Sequence, residues 1–155
     1  MTSLKKITLC LFLALLPIIA INASASGGIP LMYLEGDWIS HEYDCPSGVP
    51  RTEKIAISIS DNDIKAVKTD SGGDYCVPTG SDTFRGTLPN ELPVEESFPI
   101  VVILGVPSRP ACCTGRAYIV MQDVDNFKVC LQSDCNQRGQ NWSMRFSRIN
   151  YAPQL

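Results

Sequence analysis

From Leu34 to Ile149 the sequence is a succession of short β-type runs separated by turn residues, with no helical period of useful length. The clearest run is Glu53–Ser60, where Ile55, Ile57 and Ile59 alternate with Ala56, Ser58 and Ser60. That period of two places the isoleucines on one face of a strand. Runs at Leu34–Tyr43, Ile64–Thr69, Asp82–Leu88, Phe98–Leu104, Gly115–Gln122, Phe127–Gln132 and Trp142–Ile149 bring the number of candidate strands to eight. Asp61-Asn62-Asp63 and Asp123–Asn126 are hairpin turns, and the first lacks the glycine and closing glutamate of a calcium loop. Eight meandering strands in so short a chain predict a single all-β domain, a small eight-stranded antiparallel up-and-down β-barrel, since closure removes exposed strand edges. A two-sheet β-sandwich is the alternative. Its immunoglobulin form is disfavoured because Trp38 precedes Cys45 instead of lying between two cysteines.

The N-terminus reads differently. Met1–Lys6 carries two lysines, Ile7–Ile21 is an apolar run, and Asn22–Ser26 supplies the small residues that a signal peptidase reads. This layout predicts a secretory signal peptide over residues 1–25, leaving a secreted domain over 26–155 in the extracellular space or a bacterial periplasm. The apolar run is shorter than the ~20 residues needed to span a bilayer. Setting Cys10 in that leader aside, Cys45, Cys76, Cys112, Cys113, Cys130 and Cys135 remain. An even number of cysteines in a short exported chain reads as a disulfide framework. Their spacing forms no pair of zinc knuckles, and the only histidine, His41, has no second ligand beside it, so no metal or other cofactor is expected.

In an alternating meander the loops after the first, third, fifth and seventh strands share one end, which gathers all six cysteines and braces those loops. Folding the chain about Val124 favours Cys112–Cys135 and Cys113–Cys130 beside Cys45–Cys76. Local closure of Cys130–Cys135 with a vicinal Cys112–Cys113 bond is the other arrangement.

Composition narrows function. Lys and Arg number 13 against 16 acidic residues, a net charge of −3, and removing Lys5 and Lys6 with the leader makes it −5. That balance argues against nucleic acid and anionic membrane surfaces as partners, both of which reward clustered basic residues. Catalysis needs a nucleophile, a base and an oxyanion donor. With oxidised cysteines and one histidine, only a carboxylate pair such as Glu42 with Asp44 is on offer, and the chain reads as non-enzymatic.

Gly36-Asp37-Trp38 opens the first strand and Arg148 lies near the end of the last. In this the chain resembles the calycin-type barrels, the group that includes lipocalins and avidins. The resemblance implies that Trp38 closes one end of the barrel and that a basic residue of the last strand, Arg148 or Arg145, covers its indole. Parity favours Arg148, which shares a face with Trp142, Met144 and Phe146, while Ser143, Arg145 and Ser147 share the other. The chain departs from the group in its six-cysteine framework. The segment Asp44–Pro50 is too short for a helical lid, and no helix follows the last strand.

The resemblance implies a cup for a small-molecule or lipid-like ligand. On the first strand Trp38, Ser40 and Glu42 share a side, so Ser40 and Glu42 climb inward from a Trp38 plug, and Lys68 is the candidate partner of Glu42. These four are the candidate ligand-binding residues. A bulge after Trp38 would instead leave Glu42 in solvent. The second functional reading is a protein-binding module, effector or inhibitor that uses the braced loops Asp44–Pro50, Asp70–Ser81, Ser108–Gly115 and Gln132–Gln140, with Tyr75, Arg109 and Arg138 as anchors.

The Phe98–Leu104 strand is apolar on both faces, with Val101 and Ile103 opposite Phe98, Ile100, Val102 and Leu104. Its outer face needs cover from Leu88–Ser97, from the Gly27–Tyr33 arm, or from another molecule, which makes it a candidate oligomer surface. Asn141-Trp142-Ser143 is a glycosylation sequon.

Overall fold

The computed structural model describes residues 27–44, 50–73, 76–106, 108–131 and 143–149, with the side chains of 41–44, 50 and 51 outside the description. The expected signal peptide over Met1–Ala25, together with Cys45, Tyr75, Cys135, Arg138 and the Asn141-Trp142 half of the sequon, lies outside the described residues.

The barrel strands are β2 (Gly36–Asp44), β3 (Pro50–Ser60), β4 (Asp63–Asp70), β5 (Asp82–Thr87), β7 (Ser97–Val106), β8 (Arg109–Asp123), β9 (Asn126–Cys130) and β10 (Ser143–Arg148). They form a closed eight-stranded barrel in sequence order, sealed by antiparallel pairing of β10 with β2. Two short strands, β1 (Ile29–Pro30) and β6 (Glu91–Leu92), pair with each other outside it.

Inward positions follow the sequence alternation. On β3 Glu53, Ile55 and Ile57 are buried between exposed Lys54 and Ser58, and on β4 Ile64, Ala66 and Lys68 are buried. The alternation breaks on β5. Ala66 pairs with Phe84, but its neighbour Val67 pairs with Asp82, which makes Thr83 an extra residue. A bulge of this kind re-aims side chains locally, and Thr83 and Phe84 are buried in succession.

The lower lumen is filled. Trp38, Phe127, Phe146 and Phe84 are each no more than 1% exposed. Trp38 meets Phe127 edge-on at 4.7 Å between centroids, Phe127 stacks on Phe146 at 4.7 Å, and Phe84 meets both phenylalanines edge-on. Offset and edge contacts such as these suit the ring quadrupoles and add to the hydrophobic gain of burial.

The arm before β2 and the crossing between β5 and β7 do not cover the outer face of β7. They close the bottom of the barrel. Leu31 N–H donates to the Asn90 carbonyl at 2.7 Å, Asn62 bonds the backbone of Leu88 through both its carbonyl and its side-chain amide, and Ile29, Leu31, Leu34, Leu88 and Leu92 are buried there. The reason is that the closed end needs an apolar lid over Trp38. Val101 on the outer face of β7 stays 39% exposed, beside a shallow groove formed with Gly86, Thr87, Pro99 and Arg116.

Candidate functional site

The closed end is organised around one rung of the ladder. Arg148 pairs across the strands with Trp38, and its guanidinium lies over the indole at 4.3 Å from the ring centroid. The Trp38 indole N–H donates to the Leu34 carbonyl at 2.9 Å. The guanidinium also donates to the carbonyls of Tyr33, Glu35 and Val124 and pairs with the Asp125 carboxylate at 3.2 Å. Gly36 has φ +123°, and a Cβ there would stand 3.4 Å from the Arg148 guanidinium. The glycine two residues before the tryptophan is therefore needed for backbone conformation, since a side-chain-bearing residue is strained at that φ. Arg145, the other candidate cation, is exposed on the opposite face of β10.

Above the aromatic layer the lumen turns polar. Lys68 and Glu53 form an ion pair with side chains 1% and 0% exposed. Two charges can lie this deep because they are taken out of water together; either one alone would cost several kcal/mol. Ser40, fully buried, pairs across the ladder with Glu53. The hydroxyls of Ser40 and Thr83 have no hydrogen-bond partner among the described residues.

Over this layer opens a cavity of about 500 Å³. Its floor is the Glu53–Lys68 pair with Thr83, and its walls include Val102, Leu104, Val129, Met144 and Leu131. The Cys112–Cys113 pair forms part of the same wall. Gly115 makes room for Leu104, whose Cδ1 would lie 2.9 Å from a Cβ at that position. A volume of this size is in the range that holds a compact small molecule.

The four candidate ligand residues are thus separated by depth. Trp38 belongs to the sealed floor of the barrel, Ser40 and Lys68 to the polar layer. On β2 the ladder slips between Ser40 and Tyr43, so the alternation that carries Trp38 and Ser40 inward does not extend by parity to Glu42, and the Glu42 side chain lies outside the described residues, as does that of His41. The buried partner of Lys68 shown here is Glu53. Sequence reasoning misses Glu53, although its spacing from Ile55, Ile57 and Ile59 carries the signal: it occupies the same face of the same strand.

The cysteines depart from the favoured Cys112–Cys135 and Cys113–Cys130 pairing. Cys112 and Cys113 are bonded to each other, as in the other arrangement, and Cys76 and Cys130 each take part in a disulfide. The physical reason lies in the length of β8, which begins at Arg109 and not at Gly115. Cys130 pairs with Tyr118, five residues along the strand from Cys113, which at about 3.3 Å per residue places the two cysteines roughly 16 Å apart. A disulfide needs Cα atoms within about 7 Å. Among the described residues no group of three or more His, Cys, Asp or Glu side chains could hold a metal ion.

Comparison with protein-family models, with curated proteins and with solved structures finds no match to this chain.

Proposed function

We propose that this chain is an exported, non-enzymatic binding protein that holds a small, largely apolar or lipid-like molecule in the open end of its barrel, and that it is a calycin-type barrel. The observation that carries the reading is the cavity of about 500 Å³, apolar on its walls and polar only at its floor. That distribution suits an amphiphile, with its apolar body against Val102, Leu104 and Met144 and a polar end directed toward the Glu53–Lys68 layer. The Arg148–Trp38 contact supports the calycin-type likeness.

Two apolar side chains at the mouth favour a second reading, in which the same end docks a protein. Val106 is 40% and Leu131 41% exposed, and exposed apolar groups at a rim are what a partner surface needs.

The test is titration of the oxidised protein with anilinonaphthalene sulfonate, an apolar fluorophore with one anionic group. The expected result is saturable binding at one site with a blue-shifted emission, lost when Leu104→Trp fills the cup while the far-ultraviolet circular dichroism stays unchanged. Absence of saturable binding, or equal binding by Leu104→Trp, would overturn the cup reading and leave the docking surface in its place.

A further inference from the structure

The Cys112–Cys113 bond differs in kind from an ordinary structural disulfide. In the chain-entropy account a disulfide stabilises a fold by closing a loop of the unfolded chain, and its effect grows with the length of that loop. A bond between sequence neighbours encloses no intervening residue, so it contributes little as a staple. Its position gives it another role. Both residues are exposed on β8 and both line the cup, and Cys113 stands across the ladder from Leu104, another wall residue.

The backbone that carries the pair is held from behind. Ala111, at φ +48°, donates its N–H to the Cys76 carbonyl at 2.8 Å. Gly105 lies so close to that carbonyl that a Cβ on it would be 1.9 Å from the oxygen. The chain is therefore held at residue 111 by the Cys76 carbonyl, while the side chains of residues 112 and 113 are tied together by their own ring within the β7–β8 ladder. Opening the ring returns side-chain torsional freedom to two residues of the cup wall and replaces an apolar disulfide by two S–H groups with weak polar character. The other described cysteines keep their own sulfurs out of reach, since Cys76 is 1% and Cys130 0% exposed.

We propose that the Cys112–Cys113 disulfide is a redox-sensitive modification site in the wall of the cup, closed when the cup retains its occupant and opened by a dithiol reductant to release it. The inference rests on the binding reading above. In the reaction a thiolate of the dithiol attacks one of the two sulfurs, the Cys112–Cys113 bond breaks, and a mixed disulfide forms. The second thiolate of the dithiol then attacks its own disulfide-bonded sulfur and displaces the protein. The protein gains two electrons and two protons as two thiols, and the dithiol is oxidised to a cyclic disulfide.

The experiment treats the oxidised full-length protein with limiting dithiothreitol, followed by pulse alkylation with iodoacetamide, peptide mapping, and titration with anilinonaphthalene sulfonate. Labelling of Cys112 and Cys113 is expected on the order of tenfold faster than labelling of Cys76 and Cys130, because exchange follows access to the sulfurs. At that stage the affinity for the fluorophore should fall severalfold with the circular dichroism unchanged. The C112S/C113S double variant should show the same loss without reductant and no further response to it. Equal labelling rates, or unaltered affinity after selective reduction, would overturn the proposal while leaving the cup intact. If the oxidised protein itself fails to bind the fluorophore, the binding reading falls first and this proposal with it, a result told apart because it precedes any reduction.

Discussion

Arg148 covers the face of Trp38 from the neighbouring strand, on the same rung of the ladder, and its donors are taken up by carbonyls from the arm before β2 and by the Val124 carbonyl and Asp125 carboxylate in the turn between β8 and β9. One side chain thus joins the indole, the N-terminal arm and the hairpin of β8 and β9.

Removing that side chain should loosen all three. A cation–π contact is worth about 0.5–2 kcal/mol, and hydrogen bonds from a charged donor about 1.5–3 kcal/mol. Arg148→Ala is expected to lower the free energy of unfolding in urea by about 2–4 kcal/mol, since these contributions overlap. Arg148→Lys should recover less than half of the loss, because a single ammonium cannot reproduce the planar fork.

The buried pair of Glu53 and Lys68 predicts strong non-additivity. Glu53→Leu or Lys68→Met alone removes one half of the buried ion pair and should cost about 3–5 kcal/mol. The double variant should cost clearly less than the sum of the two, because it removes both charges together. A double-mutant cycle in urea checks this, and additive losses would mean that the two side chains do not act as a pair.

At Thr83 the expected change has the opposite sign. The Thr83 hydroxyl is buried with no hydrogen-bond partner among the described residues, so none of those residues offsets its desolvation. Thr83→Val keeps the shape and removes the hydroxyl. A gain of about 1 kcal/mol in unfolding free energy is expected, read from the urea midpoint at unchanged slope.

Gly105→Ala tests how the mouth is built. The added methyl would meet the Cys76 carbonyl oxygen at 1.9 Å and the Ala111 nitrogen at 2.6 Å, both backbone atoms that cannot turn aside. The rim has to move, at a cost of about 1–3 kcal/mol. Hydrogen exchange is expected to rise at the Ala111 amide and to stay unchanged at the Trp38 indole N–H, far from the mouth.

What the sequence reveals and what it conceals follow from the same physics. Most of the barrel strands begin or end close to where hydropathy alternation places them, because residues such as Ile55, Ile57 and Ile59 must face the lumen. Strand β8 is longer than that alternation predicts. Its first half, Ala111 to Gly115, consists of small residues without hydropathy contrast, so no period marks it as strand, and the cysteines it carries look like loop residues. The bulge at Thr83 leaves no trace in composition, since it arises from the register between β4 and β5. The pairing of Trp38 with a cation of the last strand comes from the resemblance, and parity selects Arg148 over Arg145. Glu53 is equally legible by parity, but a carboxylate on an apolar face reads as a solvated strand end until its cation is seen beside it.

The sealed end has a consequence for traffic. With Trp38, Phe127 and Phe146 filling the lower lumen and the Ile29–Leu34 arm beneath them, the described residues leave no corridor through the lower end of the barrel. On the binding reading proposed above, a guest that enters at the Cys112–Cys113 rim would also leave by it, and a second guest would wait for the first to depart. Exchange between guests would then be paced by departure, and a change at the rim would alter entry and exit together.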